Sequence, residues 1–264
     1  MIPLKDKNPT RRTPLVTLVL MAICVVVYFF VQQGAGDLLG TEPADAGSDL
    51  EFTLQNAAIP CEVVQGRPLS RDEIVDTFTA SGDPTACQDD PVTPAGFGDK
   101  NVYLAVLTSM FLHGGLLHLA GNMLYLWVFG NNIEDIQGRP VYLLFYLFSG
   151  LAATLAHIAV QPDSTVPVVG ASGAIAGVMG AYLVLFPRVP IKSVVIFFFI
   201  LFRDIQARFL LGFWFVSQFF INPNDGVAWM AHVGGFLFGI LGGLLWRARR
   251  GRQPQPIAAY TPYR

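Results

Sequence analysis

Charge is scarce in this chain. Only 14% of its 264 residues are charged, whereas a soluble globular domain carries about 25%. With 53% hydrophobic residues beside it, that deficit argues against a soluble domain and for a chain whose solvent is largely lipid. Cysteine is scarce too. The three present form no Cys-x-x-Cys pair, which removes the usual cysteine-built metal site. No basic stretch is interleaved with aromatics, so no nucleic-acid surface is expected. No internal repeat or low-complexity array breaks the chain. Cys24 sits in an apolar run and reads as a packing residue. Cys61 and Cys87 share one polar segment; they are either two free thiols or, if that segment lies outside the cytoplasm, a disulfide.

Long apolar runs are what the chain does have. A spanning helix needs about 20 mostly apolar residues, and six segments approach that: 14–32, 115–132, 140–160, 171–187, 206–221 and 227–246. The first is longer than the ~7–15 apolar residues of a signal peptide, so it reads as a retained span. Lys5, Lys7, Arg11 and Arg12 precede it, Arg139 follows the second, Arg188 and Lys192 follow the fourth, and Arg247, Arg249, Arg250 and Arg252 follow the sixth. With six alternating spans all of these fall on one side, which places both termini in the cytoplasm. The expected fold class is all-α: a polytopic bundle of six transmembrane helices. Its organisation is a cytoplasmic tail (1–13), a first transmembrane helix (14–32), a long acidic extracytoplasmic loop (33–100), a core of helices two to six (101–246) and a basic cytoplasmic tail (247–264). The loop carries Asp37, Glu42, Asp45 and ten further carboxylates against Arg67, Arg71 and Lys100. It is either partly disordered or a small disulfide-pinned subdomain. Residues 193–202 are apolar but too short to span, and Arg203, Asp204 and Arg208 follow. Burying those charges in lipid is costly, so the stretch is expected to be interfacial or re-entrant on the cytoplasmic side.

Polar residues inside spans are functional candidates by default. The second span opens with His113-Gly-Gly-Leu-Leu-His118-Leu-Ala-Gly-Asn122, the fourth with Gly170-Ala-Ser172-Gly173, and the sixth contains Ala231-His232-Val-Gly-Gly235. His118 and Asn122 are four apart and share a helix face. All three spans run from outside to inside, so His118, Asn122, Ser172 and His232 lie at one depth near the outer surface. Small residues recur at Ser172, Ala176 and Gly180 and at Gly235, Gly239 and Gly243, spacings that let two membrane helices pack closely. A serine hydroxyl becomes a nucleophile when a base takes its proton, and imidazole suits that task. Asn122 and His118 are then placed to donate to an oxyanion. Each signal also has a plainer reading. A Gly-x-Ser-Gly run is common at tight helix contacts, and His232 alone could be a packed histidine. His157 reads as interfacial, and Glu134, Asp135 and Arg139 as helix-end contacts. No carboxylate or thiolate stands by His113 and His118 to complete a zinc set.

Taken together, His113-x4-His118-x3-Asn122, Gly170-Ala-Ser172-Gly173 and Ala231-His232-x2-Gly235-x3-Gly239 resemble the rhomboid family of intramembrane serine proteases. The turn Phe129-Gly130-x3-Glu134-Asp135-x2-Gly138-Arg139 is similar to its bacterial members. The resemblance covers about residues 101–246. It implies a Ser172–His232 dyad with no aspartate, no cofactor and no metal. It further implies an oxyanion hole of Asn122, His118 and the Ser172 amide, with His113, Gly170, Gly173, Gly235 and Gly239 in support. It implies transmembrane protein substrates cut within or near their spans, a lipid-bilayer setting in a bacterial plasma membrane, and a gate at the fifth span. Two departures stand out: the long 33–100 loop, and Ala176 where some relatives carry a tyrosine that stacks on the histidine. Three other readings stay open. They are an inactive relative that binds transmembrane helices, a polytopic transporter, and a structural membrane scaffold.

Overall fold

A computed structural model describes residues 1–32, 46–78, 82–196, 199–222 and 227–250. Asp37, Glu42, Asp45 and the basic tail beyond Arg250 lie outside the described residues. The chain is mostly helical. Helix α1 (Leu15–Val26) continues with π geometry to Gln32. A short helix α5 (Val102–Thr108) leads through a bend of 77° into α6 (Leu116–Gln137). Then come α7 (Arg139–Val160), α8 (Ser172–Leu185), α9 (Ala207–Ser217, ending in a 3-10 turn to Phe220) and α10 (Trp229–Arg250). Three of these are long and apolar enough to cross a membrane: Leu15–Gln32, Arg139–Val160 and Trp229–Arg249. The bent pair α5–α6 makes a fourth, while Ser172–Leu185 and Ala207–Phe220 are apolar but shorter.

The helix ends follow from local chemistry. The Asn101 side chain accepts from the amides of Tyr103 and Leu104 and so starts α5. Gly138, at φ +80°, closes α6 in a conformation that L side chains avoid. Pro140 then sits in the first turn of α7, where a missing N–H costs nothing. The first turn of α1 is capped from a distance. Glu134, late in α6, accepts from the amides of Val16 and Thr17 at 2.9 and 2.8 Å and from the Thr17 hydroxyl at 2.8 Å. Asp135 takes the amides of Arg11 and Arg12. The expectation that these acids make helix-end contacts is met.

Helix α8 is the buried centre: every residue from Gly173 to Tyr182 is buried. It touches α10 backbone to backbone. A Cβ on Gly235 would fall 2.1 Å from the Gly173 carbonyl oxygen, and one on Gly239 would fall 1.9 Å from that of Gly177. The stripe that α8 offers is therefore Gly173, Gly177 and Gly180: of the expected Ser172, Ala176 and Gly180, the last is in the contact, while Gly173 and Gly177, one residue on, replace the first two. That offset leaves Ser172 at the edge of the contact.

The all-α expectation needs amending. Strands β1 (Ile2–Asp6), β2 (Pro190–Ile196) and β3 (Ile200–Gln206) form an antiparallel sheet in the order β1-β2-β3. Within the stretch 193–202, expected to be interfacial or re-entrant, residues 193–196 and 200–202 are thus strand, paired antiparallel. The reason is local. Val194, Val195, Ile196 and Ile200 are β-branched, and Ile191 and Ser193 are buried while Lys192 between them is exposed. Lys7 and Asp204 pair across the sheet at 2.6 Å.

At the opposite end lies a cap, built from α2 (Ala46–Asn56), α3 (Pro60–Gln65), α4 (Arg71–Phe78) and residues 82–100. Of the two readings left open for this region, its described part is the disulfide-pinned one. Cys61 and Cys87 are bonded, around a small core of Leu54, Ile59 and Leu69. Beneath it Lys100 pairs with Glu62, both side chains nearly inaccessible. Burial pushes the Glu62 carboxyl up and the Lys100 ammonium down from their ordinary values, each against the pull of the other. Four hydrogen bonds secure the cap to the α7–α8 loop. Cys61 N–H donates to Ser164 O, Val168 N–H to Ala58 O and Thr165 N–H to Pro84 O, and the hydroxyls of Thr77 and Thr165 meet at 2.7 Å.

Candidate active site

Ser172 and His232 are sixty residues apart in sequence and in contact in the fold. Ser172 Oγ lies 2.9 Å from His232 Nε2. The contact follows from the parallel packing of α8 on α10, whose glycines bring the backbones together and leave the two polar side chains at the same level. Both are half-buried. They line a cavity of about 500 Å³ together with His118, Asn122 and the strip Pro167–Val169.

The tautomer of His232 can be argued from its other side. Gln218, buried at the end of α9, faces Nδ1 with Oε1 at 2.7 Å. The Gln218 amide nitrogen donates to the Trp214 carbonyl at 2.9 Å and approaches the Ser217 hydroxyl at 3.3 Å. That arrangement turns Oε1 toward the ring. A carboxamide oxygen only accepts, so Nδ1 carries the proton and Nε2 keeps its lone pair for the Ser172 hydroxyl. The Trp214 ring stands 5.9 Å from the imidazole, centroid to centroid. Ala176, the position without a tyrosine, is fully buried; the flank of the imidazole is supplied instead from α9.

His118 is fixed in the complementary sense. Its Nδ1 accepts from the Gly114 amide at 3.4 Å, which leaves Nε2 as the protonated nitrogen. The ring lies against Gly170, where a Cβ would fall 2.8 Å from Nε2. Gly170 is also at φ +120°, so no side chain is accommodated there on either count. Its amide donates to Ser109 O at 2.9 Å, holding the turn that delivers Ser172. Asn122 is buried and its Nδ2 has no protein partner, an unspent donor one helical turn below His118. The Ser172 amide, in the first turn of α8, is one of the N–H groups a helix leaves unpaired.

The remaining expected residues take supporting positions. His113 is fully buried outside the cavity, its ring edge-on to that of His118 at 5.3 Å. Its loop is clamped by Gln32 at the end of the first span. The Gln32 amide nitrogen donates to His113 O at 2.6 Å, and its oxygen accepts from His113 N–H at 3.0 Å. Gly173, Gly235 and Gly239 sit in the α8–α10 contact. His157, expected at an interface, is buried at 5% exposure and lies outside this cavity. Sequence reasoning missed Gln218, Trp214 and Gln32. The signal available for the first was a glutamine in an apolar segment, Phe213-Trp-Phe-Val-Ser-Gln-Phe-Phe220, a polar residue that lipid would not tolerate without a partner.

Residues 100–249 match the Rhomboid domain. The chain is 42% identical over 78 residues to the rhomboid protease GluP of Bacillus subtilis, a match covering 30% of this chain and 15% of that one. To the rhomboid protein YdcA of the same organism it is 33% identical over 165 residues, 59% of this chain and 72% of that one. To the mitochondrial rhomboid protein 1 of Saccharomyces cerevisiae it is 29% identical over 144 residues, 53% and 41% of the two chains. Of GluP and the yeast protein it therefore spans less than half the length. With the domain match running through more than half of its own residues, this chain belongs to the rhomboid family.

Proposed function

We propose that this chain is a serine endopeptidase that hydrolyses peptide bonds within or near the transmembrane segments of other membrane proteins. The observation that carries the proposal is the chain of contacts Ser172 Oγ, His232 Nε2, His232 Nδ1, Gln218 Oε1, at 2.9 and 2.7 Å. It is the arrangement needed for a neutral imidazole to take a serine proton. Ser172 Oγ attacks the scissile carbonyl carbon while Nε2 accepts its proton. Asn122 Nδ2, His118 Nε2–H and the Ser172 amide donate to the oxygen that becomes negative. As the tetrahedral adduct collapses, the C–N bond breaks and the imidazolium returns the proton to the departing amine. Water then repeats the sequence on the acyl-enzyme. No metal or cofactor takes part.

Depth supports an intramembrane site. Six spans are proposed, α1, α5–α6, α7, α8, α9 and α10, with 101–246 as the catalytic core. Helix α8 has 14 residues, so it is about 21 Å long, shorter than a hydrocarbon core of about 30 Å. A serine at its first residue would lie below the membrane surface, reachable by water through the polar cavity. The basic residues flanking the spans support an orientation with the sheet and both termini in the cytoplasm and the cap outside, and the membrane proposed is a bacterial plasma membrane. A substrate helix must unwind locally before its carbonyl can reach Ser172.

The test is labelling by a fluorophosphonate together with cleavage of co-reconstituted single-pass membrane proteins. Wild type should do both and Ser172→Ala neither, at unchanged thermal stability. Cleavage surviving in purified Ser172→Ala would reject the nucleophile. A wild type that neither labels nor cleaves would favour an inactive, helix-binding relative.

A further inference from the structure

A second cleft adjoins the cavity of Ser172. It measures about 700 Å³, and the two share the walls Pro167, Val168, Val227 and Ala228. On one side it is built from the cap, by Thr77, Pro84 and Thr85. On the other it is built from the end of α7 and the α7–α8 loop. The hydrogen bonds between Thr165, Val168 and the cap hold these two halves together and run directly into the turn that delivers Ser172. The cap precedes the residues that match the Rhomboid domain, so one wall of the cleft, Thr77, Phe78, Gly82, Pro84 and Thr85, comes from a part of the chain that the catalytic chemistry does not require, and the other wall comes from the domain itself.

Its lining has a definite chemistry. His157 is 95% buried by its 5% exposure, borders the cleft, and has an Nδ1 with no protein partner. A buried polar atom left unpaired is costly, and a polar ligand in the cleft would relieve it. Asp163 is exposed at the rim, and Asp83 stands between the lining residues Gly82 and Pro84. No lysine or arginine lines the cleft among the described residues. Hydroxyls of Thr85 and Ser164 and the apolar faces of Val160 and Val166 complete it. The site runs beside the α7–α8 loop, which lines it at Gln161–Ser164 and Val166–Val168; it is weakly negative and offers both polar and apolar contacts. Those are the properties that suit an extended polypeptide carrying basic residues.

We infer that this cleft is a subsite for the extracytoplasmic flank of the substrate, the extended and preferably basic stretch next to the scissile bond outside the membrane. The inference rests on the endopeptidase reading above and gives the acidic cap its role. The cap selects substrates by the segment that emerges from the bilayer, and Pro167 and Val168 carry that segment on toward Ser172.

The experiment uses the full chain in proteoliposomes and three reporters with one transmembrane segment. Their extracytoplasmic flanks carry lysines, carry aspartates, or are cut back to the end of the span. Each variant is read as the ratio of its own cleavage rates, so a change in overall activity cancels. Wild type should favour the lysine flank over the aspartate flank by about tenfold, the size expected of a few partly exposed charge pairs. Asp163→Arg, a surface change, should bring that ratio to within about twofold of unity. Thr85→Trp, which fills the cleft, should remove the advantage of both long flanks over the truncated one. A wild-type ratio near one, or ratios unmoved by both variants, would overturn the inference. The latter is also the result expected if another part of this chain occupies the cleft. Loss of fluorophosphonate labelling in wild type would instead strike the endopeptidase reading, and the two failures are told apart by that measurement.

Discussion

At the scale of the residue, the proposed base is decided by a neighbour with no charge. A neutral acceptor at Nδ1 fixes the tautomer without offering the imidazolium a full negative charge. Gln218→Leu keeps the volume and removes the acceptor. Cleavage should then fall by about ten- to a hundredfold, combining one lost hydrogen bond with a freed tautomer, while the thermal midpoint changes little. Gln218→Glu restores the acceptor and adds charge, which favours the protonated imidazole. Its rate–pH profile should shift its acid limb to higher pH, a displacement that a merely structural glutamine would not produce. An unaltered profile in both variants would remove Gln218 from the mechanism. Gln218 also lies on α9, the expected gate, so opening α9 would release the imidazole at the same time.

At the scale of the element, two contacts bear weight. The first is α8 on α10. A Cβ at Gly239 would overlap the Gly177 carbonyl at 1.9 Å, and neither atom belongs to a flexible side chain. Gly239→Val must therefore separate the helices. We expect about 1–3 kcal/mol of destabilisation or more, measured by thermal unfolding in detergent, together with loss of fluorophosphonate labelling as Ser172 and His232 part. The second is β1 against the helices. Burial pushes the Asp6 carboxyl up to about 6, only partly offset by the Tyr182 hydroxyl and the Asn132 amide that donate to it. The folded pKa lies above the ordinary value of 3.8. Its contribution is thus full below about pH 4 and is lost as pH rises through about 6. Amide exchange in β1 and β2, corrected for intrinsic rates, should accelerate between about pH 4 and 6 and level off above that. Asp6→Asn should abolish that acceleration.

At the scale of the whole molecule, the cap is a second, separately stabilised unit. The Cys61–Cys87 bridge closes a separation of 26 residues, which the chain-entropy treatment values at about 3.5 kcal/mol. Against the upward push of burial, Glu73 is held down at about 2 by the Arg67 guanidinium and the amides of Ser70 and Gln88. Its folded pKa lies below the ordinary 4.5, so this stabilisation is complete above about pH 4.5 and lost as pH falls through 2. Limited proteolysis within 46–100 should be slow at pH 7, faster at pH 3, and fast at both once Cys61 and Cys87 are replaced by serine. The membrane helices should resist in every case.

What the sequence by itself determined is where the apolar runs lie, the family, and the order of polar residues within those runs. Lipid tolerates few such residues, so Ser172, His232, His118 and Asn122 stood out against a background of leucine and phenylalanine. The sequence also marked Gly180, Gly235, Gly239 and Gly243 as contact glycines, and they are; tertiary structure decided that Gly173 and Gly177, in place of Ser172 and Ala176, complete the α8 side, because a small turn about the helix axis leaves its composition unchanged. It also decided that 193–196 and 200–202 are strand, since a short apolar run is satisfied by either helix or strand until partner strands are in place. β2 and β3 pair with each other, and the far side of β2 is taken by β1, nearly two hundred residues earlier in the chain. The same holds for Gln218, whose meaning depends on α9 lying beside α10. Hydrophobicity is written along the chain and can be read there; a hydrogen bond between distant residues exists only once packing has set the distance.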